Sequence, residues 1–117
     1  MMEEYILLVL HKLSDSLGYY DVATGEQFGL IETNLFPHEM CLSPNRQKVY
    51  VTEYGVRGVE TPGEGSHTIG VFDVRKKNRI ETIDTAEYNR PHGIVSHQSG
   101  KLFVTSEPTQ RLLIYDS

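Results

Sequence analysis

The sequence predicts an all-β fold made of β-propeller blades of four antiparallel strands, arranged as an incomplete array of about two and a half blades. Three observations lead there. Segments recur in a fixed order: Val49-Tyr50-Val51-Thr52-Glu53 returns as Leu102-Phe103-Val104-Thr105-Ser106, Pro37-His38-Glu39-Met40 as Pro91-His92-Gly93-Ile94, and Gly18-Tyr19-Tyr20-Asp21-Val22 as Gly70-Val71-Phe72-Asp73-Val74. Ile6 to Val49 and Asp73 to Asp116 are each 43 positions apart, close to the ~40–45 residues of a four-stranded blade. Finally, no window sustains a 3.6-residue apolar period, whereas short apolar runs bounded by Gly, Pro and Asn turns are frequent.

Taken in order, the elements form three blade pieces, 1–34, 35–88 and 89–117, of a single partial propeller. The first is expected to begin at a second strand, the nearly continuous apolar run Tyr5 to Leu10, which suits a strand covered on both faces. The Gly18 to Val22 strand and the turn Ala23-Thr24-Gly25 follow. The middle piece is complete. It runs from an inner strand at Pro37-His38 through the turn Ser43-Pro44-Asn45-Arg46 to Val49–Glu53, then to Thr68–Val74 and Arg79–Asp84, the last two joined by Arg75-Lys76-Lys77-Asn78. The final piece holds His92–Ser96, the turn Gln98-Ser99-Gly100, Lys101–Ser106 and Arg111–Asp116. Pro, Asn and Gly in these turns supply the backbone angles that hairpins require.

Val49 to Leu102 is 53 positions rather than 43, and the excess falls between Tyr54 and Thr68. Within that insertion, Gly63-Glu64-Gly65-Ser66-His67 lacks the spacing of a nucleophile elbow or phosphate loop and is expected to be a flexible tip.

Four short motifs in one order carry a family likeness. Pro91-His92-Gly93-Ile94, Ser43-Pro44-Asn45-Arg46-Gln47-Lys48, Tyr50-Val51-Thr52-Glu53 and Val71-Phe72-Asp73 together resemble the YVTN-type β-propeller repeat, across essentially the whole chain. Departures are Glu53 and Ser106 in place of Asn, and Glu39 in place of Gly. The resemblance implies a ring similar to the seven-bladed lactonase-like and quinoprotein-like propellers. Closed rings have ~4–8 blades, so 117 residues are expected to be a segment of a longer propeller. Its terminal blades look uncapped, which predicts self-association through their apolar faces.

Composition excludes little beyond nucleic acid and membrane as partners. The net charge is −5, and the longest basic run, Arg75-Lys76-Lys77, sits in a hairpin turn as a solvated tip. No stretch reaches the ~18 apolar residues of a spanning helix. Met1-Met2-Glu3-Glu4 is acidic where a secretory leader would be basic, and the compartment stays open. The single Cys41 reads as a small buried hydrophobe.

Candidate functional residues collect on one side of the array. Antiparallel strands alternate direction, so loops entering inner strands and loops joining second to third strands emerge together. On that side lie His38, His92, Glu53, Tyr54, Glu107 and the insertion, and these five residues are the expected ligand-binding set. His38 and His92 begin inner strands, where they would border the central channel; they could instead bond a neighbouring blade's backbone. His92 and His97 lie ~16 Å apart on opposite faces at about 3.3 Å per residue and cannot share a ligand. Chemically, His38, His92 and a carboxylate could hold a divalent ion, but the reading assigns no metal, no cofactor and no catalytic residue, since the scattered carboxylates Glu39, Glu53 and Glu107 form no pair of opposed environments. The expected function is therefore ligand or protein binding on the His-bearing face. The alternative is part of a propeller enzyme, a lactonase-type hydrolase or a quinone- or haem-linked oxidoreductase, by analogy of fold.

Overall fold

The computed structural model describes residues 5–116. Ten strands run β1 (Ile6–His11), β2 (Ser16–Asp21), β3 (Gln27–Glu32), β4 (Pro37–Leu42), β5 (Lys48–Glu53), β6 (Thr68–Asp73), β7 (Asn78–Asp84), β8 (Pro91–Ser96), β9 (Lys101–Ser106) and β10 (Arg111–Asp116). They pair antiparallel into three sheets, ordered β1-β2-β3, β4-β5-β6-β7 and β10-β9-β8. This is the succession of three, four and three strands that the repeats predict, with β4 and β8 as inner strands in contact.

Alternation along each strand decides what each sheet covers. On the middle sheet Val49, Val51 and Phe72 point one way and pack with Leu17, Tyr19 and Ile31 of the first sheet. Tyr50, Ile69 and Val71 point the other way and pack with Ile94, Leu102, Val104 and Leu113 of the third. The middle sheet is thus buried on both faces, the environment that near-continuous apolar strands require.

In the second-to-third-strand ladder, Val49 faces Phe72 and Val51 faces Gly70. In the first sheet Leu7 faces Tyr20 and Val9 faces Gly18. Leu7, and not Ile6, therefore stands where Val49 stands, one residue off the spacing that the sequence suggests. The difference matters because a one-residue slip exchanges every inward and outward side chain.

The recurring glycine has a local cause. A Cβ on Gly70 would lie 2.6 Å from the Phe72 ring, and one on Gly18 would lie 2.8 Å from the Tyr20 ring. Each aromatic ring folds back over its glycine, and over Phe72 the Arg79 guanidinium stacks at 4.8 Å.

The insertion is not the loose tip that its glycines suggest. Arg90 donates from its guanidinium to the carbonyls of Val59 (3.0 Å), Thr61 (2.5 Å) and Gly63 (2.6 Å). Its backbone N–H donates to the Ser66 carbonyl at 2.8 Å, and the Asn89 amide reaches the Glu64 carbonyl at 2.5 Å. A planar guanidinium with five donors satisfies several carbonyls at once, so the loop is held to the next blade. Among the described residues no helix is long and apolar enough to cross a membrane.

Candidate functional site

The loops of one face are tied together by backbone bonds. Asp15, in the β1–β2 turn, accepts the Thr33 N–H through its carbonyl and the Phe36 N–H through its carboxylate at 2.7 Å. The Tyr54 and Gly55 N–H groups donate to the carbonyls of Phe36 and Leu35. Phe36 and Arg90, each preceding a proline, adopt left-handed backbone with φ of 52° and 50°. Proline disfavours right-handed helical geometry in the residue before it, and the same uncommon turn delivers His38 and His92 to matching starts of β4 and β8.

The two imidazoles meet. His38 Nε2 lies 2.5 Å from His92 Nε2, with ring centroids 4.1 Å apart. At that distance one nitrogen donates an N–H and the other accepts, the tautomers deciding which. Tyr54, fully buried, presents its ring 5.2 Å from His38 and 5.7 Å from His92. Its hydroxyl donates to the Glu107 carboxylate, and the Arg90 guanidinium lies over the ring at 5.6 Å. Glu39 brings a carboxylate oxygen to 3.6 Å from His92 Nδ1.

Charge and burial act together here. Burial lowers the proton affinity of His38, aided by the positive charges of His92 and Lys12, while Glu39 and Glu107 oppose them. Burial raises the Tyr54 phenol, and its bond to Glu107 adds to the effect. Tyr54 thus stays a donor at neutral pH. One nitrogen from each imidazole and one Glu39 carboxylate oxygen lie within 4.8 Å of one another, a donor set of a kind that holds divalent ions.

Of the five residues expected from sequence, His38, His92, Tyr54 and Glu107 come together. Glu53 lies elsewhere, at the boundary between the first and middle sheets. It is fully buried and accepts the Asn34 N–H (2.7 Å), the Asn34 amide (3.1 Å), the Thr68 hydroxyl (3.0 Å) and Arg79 (2.6 Å). Adjacent residues at the end of β5 point to opposite faces, which separates Glu53 from Tyr54. Arg90 and Thr52 also shape the site without having been singled out in the sequence. The Thr52 hydroxyl accepts the Glu39 N–H at 3.0 Å and donates to the His92 carbonyl at 2.8 Å. A signal for Glu39 did exist: it breaks the repeat, standing where the second copy has Gly93.

One open hollow of about 440 Å³ borders the cluster beside Glu107, Arg90 and Pro108; another of about 400 Å³ lies among Thr33, Asn34, Gly55, Ser66 and Thr68, beside Asn34 and Thr68, the partners of Glu53.

No protein-family model matches the chain, and no curated protein matches it. Its likeness is to solved structures. Hydrazine synthase of Kuenenia stuttgartiensis aligns with a TM-score of 0.78 at 18% identity, over 96% of this chain and 29% of that one. The dihydro-heme d1 dehydrogenase NirN, in complex with DHE, aligns with a TM-score of 0.69 at 14% identity, over 96% and 23%. A functionally unknown protein of Desulfotomaculum acetoxidans aligns at 0.65 and 12%, over 94% and 37%. The fold is that of a partial β-propeller. The chain spans well under half the length of each of these structures.

Proposed function

We propose that this chain is a binding segment of a β-propeller, built from YVTN-type repeats in the blade pieces 1–34, 35–88 and 89–117, which takes a small polar ligand on its His-bearing face and has no catalytic activity of its own. The observation that carries the reading is the convergence of His38, His92, Tyr54 and Glu107 from two blades at one end of the inner strands. Two imidazole edges and the Glu39 and Glu107 carboxylates offer both donors and acceptors beside the buried Tyr54 ring. Such an arrangement orients a polar ligand while excluding water from one side of it. The uncovered outer faces of the end blades are the surfaces through which the chain would associate with further blades or with itself.

The test is titration of the isotope-labelled full chain, in EDTA, with a library of small polar fragments followed by amide NMR shifts. Shifts clustered at His38, Tyr54, His92 and Glu107, and lost in Tyr54→Phe, are expected; shifts scattered over the opposite face would refute the reading. The enzyme alternative keeps one supporting observation, the 2.5 Å contact between the His38 and His92 Nε2 atoms, a pairing of imidazoles that suits acid–base work. Lactone hydrolysis that disappears in His92→Ala would replace binding by catalysis.

A further inference from the structure

We infer that His38, His92 and Glu39 bind one divalent transition-metal ion of borderline softness, such as Zn²⁺, through one nitrogen of each imidazole and the Glu39 carboxylate, leaving the remaining coordination open to water or to a ligand. The inference rests on the binding reading of this face and gives it a chemistry.

Geometry is the first support. Among the described residues these three form the one group of three or more His, Cys, Asp or Glu side chains close enough to share an ion, with their donor atoms within 4.8 Å of one another. Tetrahedral coordination at about 2.0–2.1 Å per nitrogen places two imidazole donors roughly 3.3 Å apart. The Nε2 atoms stand 2.5 Å apart and the Glu39 carboxylate 3.6 Å from His92 Nδ1, so to admit an ion between the Nε2 atoms the rings part by under about 1 Å and the Glu39 carboxylate swings from Nδ1 to the ion.

The donor set is the second support. Two imidazoles and one carboxylate satisfy a borderline ion while leaving sites free. His92 and Glu39 are partly exposed, which gives an ion a path from solvent. The third support is rigidity. Glu39 and His92 are both tied through their backbones to the Thr52 hydroxyl, so the two strands that carry the ligands are fixed relative to each other before any ion arrives. The repeat contributes a fourth: Glu39 occupies the position of Gly93, so the two histidine-bearing copies together supply a single carboxylate. By contrast His67, among the described residues, belongs to no such group: Glu64 lies 3.0 Å from one ring nitrogen, and the other faces the Ala86 carbonyl.

The experiment is calorimetric titration of the EDTA-stripped full chain with Zn²⁺ at neutral pH. One equivalent per chain is expected. His38→Gln and His92→Gln should each weaken binding by about a hundredfold, and Glu39→Gln by about tenfold, while His67→Gln and His97→Gln leave it unchanged. Circular dichroism of each variant checks the fold. Should the Gln variants unfold, imidazole nitrogen NMR of the unaltered chain decides instead, with shifts on Zn²⁺ addition confined to His38 and His92. No binding, binding indifferent to both Gln changes, an ion shared between two chains, or shifts at His67 or His97 would overturn the site. Fragment binding in EDTA is independent of the ion: clustered fragments without Zn²⁺ binding sink the metal site alone, and Zn²⁺ binding without clustered fragments sinks the ligand reading alone.

Discussion

Ile69 and Leu112 stand at the same place in successive copies of the third strand, yet Ile69 is 0% exposed and Leu112 60%. Val71 and Ile114 repeat the contrast at 1% and 57%, and on the other side of the array Val49 and Leu7 give 0% and 53%. The strands are alike in residue type and register; they differ only in whether a further sheet lies against them. Burial in this fold is conferred by the neighbouring blade and not by the strand itself, as in other stacked arrays. The same holds for polar groups. Thr52 bonds within its own blade and also to the His92 carbonyl of the next, whereas its counterpart Thr105 accepts the Gly93 N–H at 2.9 Å and, among the described residues, makes only that within-blade bond.

Four substitutions probe this contrast in two pairs, each setting a position of the middle sheet against its counterpart in the last sheet. Glu53→Ala would leave Arg79 facing a buried void and cost about 3–5 kcal/mol of stability in urea unfolding. Ser106→Ala, at the equivalent place in the last sheet, removes the hydroxyl that donates to the Asn89 carbonyl and accepts from the Thr109 hydroxyl and should cost about 1–2 kcal/mol; equal costs would show that the two boundaries are held alike. Ile69→Ala is expected to cost about 2–5 kcal/mol and Leu112→Ala under about 0.5 kcal/mol. A large cost at Leu112 would mean that its face is covered in solution.

Light scattering tests that cover directly. The chain is expected to self-associate as concentration rises, and the double variant Leu112→Lys, Ile114→Lys to remain monomeric over the same range; a wild-type chain that stays monomeric throughout would remove the reason for this expectation. The smallest effect is kinetic. Burial pushes the Cys41 thiol up to about 11, against the weaker pull of its bonds with Ser96, so its thiolate becomes abundant only above that pH. Alkylation by iodoacetamide at pH 8 should be about a hundredfold slower than for a free thiol. Val95 is the exposed counterpart of Cys41, each facing the aromatic residue of its second strand. Moving the thiol there, with Cys41→Val and Val95→Cys, should restore ordinary reactivity.

Much of the architecture could be read from residues alone, because repeats carry their own alignment. The strands Lys101–Ser106 and Arg111–Asp116 emerge with the bounds that the sequence suggests. The first blade was less legible, since Ile6 and Leu7 are equally apolar and only the pairing of Leu7 with Tyr20 shows which one matches Val49. At the site, sequence gathered His38, His92, Tyr54 and Glu107 through loop topology. It could not foresee that Glu53 would turn to Arg79, because period-two alternation tells which residues share a face but not which partner waits there. Nor could it see the ordered insertion, whose anchor Arg90 lies beyond the next strand pair in the chain and announces nothing locally.

Thr52 sets how far apart two rings can stand without touching either of them. A hydroxyl carries one hydrogen, and the shorter of its two contacts with carbonyls, 2.8 Å to His92 against 3.2 Å to Glu39, goes across the blade boundary. The gap between the imidazoles is therefore a property of how the blades are seated. Tilting one blade against its neighbour would open or close that gap like a jaw, so anything that grips both rings would also report on, and resist, movement of the wheel.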